Sequence, residues 1–143
     1  MDQNTVVKEE LTDAKQKAGA DLTRRLDEMG WPVLASLWLY LPDSKDWKLL
    51  LASPEVASKG PKEAYEVIQK ALRDTSKGEI AIPLSDIGVT DQRNPLIVLL
   101  SQAIRTGPGI GGIRFTRNVI NGHFVEDAYI YRMSDRAPGG QAA

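Results

Sequence analysis

Between Ile113 and Arg132, apolar and polar residues alternate on both sides of Asn121-Gly122. Asn-Gly between alternating runs is the strongest short-range hairpin signal, because both residues tolerate the positive φ of a type I′ turn. A two-residue turn sets the register: Ile120 opposite His123, then Val119 with Phe124, Arg117 with Glu126, Phe115 with Ala128 and Ile113 with Ile130. These residues are expected to supply core, with Arg117 and Glu126 as a cross-strand ion pair worth about 0.2–1 kcal/mol. The opposite face receives Arg114, Thr116, Asn118, Asp127, Tyr129 and Tyr131, the pattern of a sheet with one buried and one open side.

Upstream, Val7, Leu11, Ala14, Ala18, Leu22, Leu26 and Met29 recur at steps of three and four, which predicts a long N-terminal helix over about 5–29, stopped by Gly30. Its narrow, alanine-rich stripe needs packing, either on the sheet or on a second copy. Val33 to Leu41 and Trp47 to Ser53 are apolar runs separated by turn chemistry at Pro42 to Asp46, hence a second hairpin. It is apolar on both faces and so central, with Ala35, Leu37, Leu39, Leu49 and Leu51 assigned to one side and Trp38, Tyr40 and Leu50 to the other.

Pro54 ends that strand, and Gly60-Pro61 opens a helix to about Asp74, with Ala64, Val67, Ile68, Ala71 and Leu72 inward. A short strand is read over Glu79 to Pro83 and an irregular connection over Ser85 to Asp91. Asn94-Pro95 caps a helix to Arg105, stopped by Thr106-Gly107. The order α-ββ-α-β-α-ββ predicts an α+β fold with a mainly antiparallel sheet of about five strands and helices packed on it. One domain is read over 1–133 and a disordered tail over 134–143, where apolar periodicity is absent.

Composition adds bounds. At 143 residues, 42% hydrophobic and 26% charged, the chain is long and apolar enough for a core. It has no cysteine, which excludes disulfides and thiolate chemistry and fits a reducing, cytoplasmic setting. A net charge of -1 does not favour nucleic acid as a partner, and no apolar run is long enough for a membrane span.

Candidate chemistries are few. Gly107-Pro108-Gly109-Ile110-Gly111-Gly112 satisfies G-x-G-x-x-G, but it leaves a helix C-terminus and enters a strand. A dinucleotide loop does the reverse, placing the pyrophosphate on a helix N-terminus. The stretch therefore reads as a helix cap followed by a close approach to the sheet. Glu126 and Asp127 are adjacent strand residues pointing to opposite faces, so they do not share a metal ion. His123 is the single histidine, and no metal site or cofactor is implied.

Arg114, Thr116, Asp127, Tyr129 and Tyr131, with Gly107 and Gly109 at the entrance, form the candidate binding surface, since basic and aromatic groups on an open sheet face anchor partners. The expected function is a small cytoplasmic binding or assembly module acting through protein-protein contacts, with a homodimer as one form of assembly. The alternative is a nuclease or other phosphate-processing enzyme, or a small-ligand sensor, using Arg114, Arg117, Asp127 and the glycine loop.

Overall fold

A computed structural model describes residues 10–75 and 82–138. Helix α1 runs Asp13–Glu28, with the Thr12 hydroxyl accepting a hydrogen bond from Lys15 N at its start. It is shorter than the periodicity suggests because Thr12 caps it, and the first nine positions lie outside the described residues. Strands β1 (Ala35–Leu41) and β2 (Asp46–Ala52) follow, then α2 (Pro54–Lys59), capped by Ser53, and α3 (Pro61–Thr75). A 3-10 turn at Leu84–Asp86 leads into β3 (Ile87–Thr90). Helix α4 (Pro95–Ala103), capped by Asn94, precedes β4 (Ile113–Ile120) and β5 (His123–Met133).

The fold is α+β, with one five-stranded sheet ordered β3-β2-β1-β5-β4. It is mixed, where a mainly antiparallel one was expected, because β3 pairs with β2 in parallel, Leu49 with Ile87 through Ala52 with Thr90. A parallel partner requires a crossover, and α2 with α3 provides the intervening chain. The third strand lies at Ile87–Thr90, in the stretch expected to be irregular. Of the strand expected at Glu79 to Pro83, positions 79–81 lie outside the described residues, and Ile82 and Pro83 are not in a strand. Gly88 hides β3 from a propensity reading. Pairing with central β2 stabilises it, and the Tyr65 hydroxyl of α3 donates to Ile87 O at 3.1 Å.

The sheet is covered on both faces. Leu22 and Leu26 of α1 and Ala64, Ile68 and Ala71 of α3 pack on Trp38, Tyr40, Trp47, Leu49, Leu51, Ile87 and Tyr131. On the reverse, Ile97 and Leu100 of α4 pack on Ala35, Leu37, Ala52, Ala128, Ile130 and Met133. Of the expected apolar stripe, Leu11, Leu22 and Leu26 are buried inside the molecule, Ala18 and Met29 are half-buried and Ala14 is exposed, while Val7 lies outside the described residues.

Leu49 and Leu51 therefore face the same side as Trp38, contrary to the expectation from a five-residue turn. Leu41 pairs with Asp46, leaving Pro42–Lys45 as a four-residue connection in which Lys45 adopts φ 58°. A shift of one residue reverses every side chain. Part of the expected disordered tail is packed as well: Ser134 N donates to Leu34 O at 2.9 Å and Ala137 is buried. Positions 139–143 lie outside the described residues. No helix among the described residues is long and apolar enough to cross a membrane.

Candidate functional site

The C-terminal hairpin forms in the expected register, from Ile113 opposite Ile130 to Ile120 opposite His123. Asn121 and Gly122 occupy the turn at φ 49° and 81°. A Cβ at Gly122 meets no atom within 4 Å, so substitution there costs backbone conformation alone. Gly122→Val is expected to lower stability by about 1–2 kcal/mol, the penalty of a left-handed L-residue. A thermal melt reads the loss, and an unchanged midpoint refutes the turn assignment.

The β1–β5 ladder stops at Leu39 with Ala128, whereas the β4–β5 ladder continues to the turn. The end of the hairpin is therefore a two-stranded arm beyond the main sheet, an arrangement that is marginal alone. Helix α4 supports it from one side: Ile120 and Val125 join the cluster containing Ile97 and Leu100, and Asn121 Nδ2 donates to Gln102 Oε1. Val119 and Phe124, directly opposite each other, are 60% and 59% exposed. Arg117 leaves the ladder at φ 45°, its side chain 81% exposed and its Nε 3.9 Å from Glu126. The expected ion pair is thus loose and solvent-screened, a contact of small energetic consequence.

The face expected to be open is largely covered, which corrects the candidate surface. Asp127 and Tyr131 are each only 2% exposed. Helix α1 crosses over Tyr131, whose hydroxyl donates to Gln16 O at 2.5 Å and accepts from Trp38 Nε1 at 3.0 Å. Burial pushes the Tyr131 phenol well above the usual tyrosine range, so it stays a neutral donor. Alternation alone could not reveal this cover, because a polar-looking face lined by tyrosines also suits a helix that approaches through a glycine. Gly19 is that glycine.

Arg114 clasps Asp127 with both ends of its guanidinium, Nε to Oδ1 at 2.7 Å and Nη2 to Oδ2 at 2.8 Å. Its central carbon lies 5.6 Å from the Trp47 ring, which packs edge-on against Tyr40. The hydrogen bond to Asp127 raises the Arg114 pKa further and holds the charge in place. Tyr129, half-buried, meets Tyr131 edge-on at 5.3 Å. The structure thus brings Arg114, Asp127 and Tyr129 together as a packed corner, and of the predicted set leaves Arg114, Thr116, Gly107 and Gly109 exposed.

The glycine loop does not frame a mouth. The cap of α4 is Ile104, not Gly107, and a Cβ at Gly107 or Gly109 would meet nothing within 4 Å. The close approach is at Gly112, where a Cβ would lie 2.2 Å from the Tyr129 hydroxyl. The loop is fastened to β5 by Gly111 N to Tyr131 O at 2.8 Å and by Arg132 Nε to Gly109 O at 3.3 Å.

Arg132 is the main residue that sequence reasoning missed. It is fully buried, and donates to both Asp27 oxygens at 3.0 and 2.8 Å and to Val33 O at 3.0 Å. The available signal was a lone charge inside the apolar run Ala128 to Met133. Its role is to join α1, the start of β1, the glycine loop and β5.

Among the described residues no three His, Cys, Asp or Glu side chains group as metal ligands. Asp43 and Asp46 belong to the β1–β2 connection and the first residue of β2, and His123 is exposed, its Nδ1 3.1 Å from Asn121 O. Comparison with family models, curated proteins and solved structures finds no match to this chain.

Proposed function

We propose that the chain is an interaction module that takes up an extended, acidic segment of another protein along the outer edge of β4. The observation that carries this reading is an eight-residue edge strand with no strand beyond it among the described residues. Such an edge offers N–H and C=O groups as a template for strand addition. The exposed side chains beside it include the apolar Ile113, Val119 and Phe124 and the basic Arg117.

Charge favours a different protein over a second copy. Ile113–Ile120 contains two arginines and no acidic residue, so antiparallel pairing of β4 with itself near its middle brings the Arg117 side chains of two copies together. Like charges across strands are destabilising, and opposite charges support pairing.

Two synthetic peptides of equal length test the reading, one alternating valine with glutamate and one alternating valine with lysine. The acidic peptide is expected to bind and to protect β4 amides from exchange, with affinity reduced tenfold or more by Arg117→Glu and by raised salt, the size of about 1.4 kcal/mol. Equal binding of the two peptides, or protection outside β4, overturns it.

A further inference from the structure

A second feature lies across the molecule from the hairpin tip, where Met133, Ala35, Ala52 and Thr90 form one row across four strands. The chain leaves β3 here and turns into α4, and a cavity of about 180 Å³ opens between that turn, α4 and the end of β5. Its floor is Leu34, Ala35, Ile97 and Met133, all buried and apolar. Its polar lining includes Gln92, Arg105 and Asp135.

These three polar groups differ in burial: Arg105 and Asp135 are exposed and meet solvent, whereas Gln92 is half-buried. The Gln92 Oε1 acceptor is buried with no hydrogen-bond partner among the described residues. A buried acceptor left so costs about 1–3 kcal/mol, and each such group calls for an explanation. The Arg105 guanidinium makes one long contact, Nε to Ser101 O at 3.4 Å. Asp135 lines the same cavity, yet among the described residues no ion pair joins it to Arg105. The cavity thus has an apolar floor, one cation and two acceptors around it.

We infer that this cavity binds a free, apolar α-amino acid of about leucine size. The carboxylate meets the Arg105 guanidinium, the ammonium donates to Asp135 and, after rotation of the terminal carboxamide, to Gln92, and the side chain lies on Ile97 and Met133. Volume sets the size: a dry cavity of about 150 Å³ admits benzene, so this one takes a ligand somewhat larger. Charge sets the class, since a purely apolar ligand leaves the Gln92 acceptor without a donor and a simple carboxylic acid leaves both acceptors without one. The site shares no residue with the β4 edge, and its occupancy does not depend on strand addition.

Calorimetric titration and methyl NMR of the full chain with three probes test the inference: L-leucine, leucinamide, which lacks the carboxylate, and 4-methylpentanoate, which lacks the ammonium. L-leucine is expected to bind and to shift the Ile97 and Met133 methyl signals, while each analogue binds at least tenfold more weakly, a difference of about 1.4 kcal/mol. Arg105→Met, at an exposed position, is expected to reduce leucine affinity by tenfold or more and leave leucinamide and leucine alike in strength. Gln92→Leu is expected to weaken leucine and leucinamide together. Absence of methyl shifts with leucine, equal binding of the three probes, or unchanged leucine affinity in Arg105→Met overturns the assignment.

Discussion

Arg132→Ala is expected to lower the stability of the protein by about 3–5 kcal/mol, enough to move the urea midpoint far from that of the parent chain. The loss does not come from the charge attraction by itself. Arg132 is enclosed by β5, α1, the residue before Leu34 and the glycine loop, and its removal leaves the Asp27 carboxylate and the Val33 and Gly109 carbonyls without their donor. A buried pair broken on one side costs more than the pair contributed, because the remaining charge stays desolvated. Asp27→Leu combined with Arg132→Met is accordingly expected to recover most of the loss, since both charges leave together. If Arg132→Ala unfolds at the parent's midpoint, Arg132 is not the clamp described above.

Gly19→Ala is expected to destabilise by about 1–3 kcal/mol, the opposite of what helix propensity alone predicts. Glycine in a helix interior costs about 0.5–1 kcal/mol relative to alanine, so an unconstrained α1 would gain from the change. In the folded chain an added Cβ would lie 2.3 Å from the Tyr131 hydroxyl and 2.8 Å from Trp38 Nε1. Neither atom can swing aside cheaply, because the hydroxyl is held between Gln16 O and Trp38, and Thr23 and Ser36 join α1 to β1 through a buried 2.8 Å hydrogen bond. Urea unfolding gives the sign directly. A gain in stability in Gly19→Ala shows that α1 stands further from the sheet than the contacts require.

These two positions also mark where reading the chain succeeds and where it stops. Gly19 is visible in the sequence as a flaw in a helix, and Arg132 as a charge in an apolar strand. The reason for each lies in elements more than 90 residues away along the chain, Tyr131 above Gly19 and Asp27 beside Arg132. The candidate surface shows the same limit. The alternation of Arg114, Thr116, Asp127, Tyr129 and Tyr131 correctly places them on one side of the hairpin, and the register makes Arg114 and Thr116 neighbours of Tyr129 and Asp127. Which side α1 covers is a packing outcome that turns Tyr131 from a candidate contact into a structural group, and the clasp of Arg114 does the same for Asp127.

What the sequence by itself determined is local. The Asn121-Gly122 turn, the Asn94 and Gly60-Pro61 helix starts and the pairing of β4 with β5 follow from backbone preferences and side-chain period, which act over a few residues and need no partner. Only the tertiary structure decided the rest. The parallel β3 forms because central β2 has a free edge to satisfy, and the facing of Leu49 and Leu51 turns on a single residue in the Pro42–Lys45 connection. The exposed arm at Val119 and Phe124 exists because ladders of unequal length meet one supporting helix, α4, and the cavity beside Gln92 lies where the chain from β3 into α4 meets the end of β5. Such features depend on how non-local surfaces divide the available burial among themselves, a competition that no short window of sequence contains.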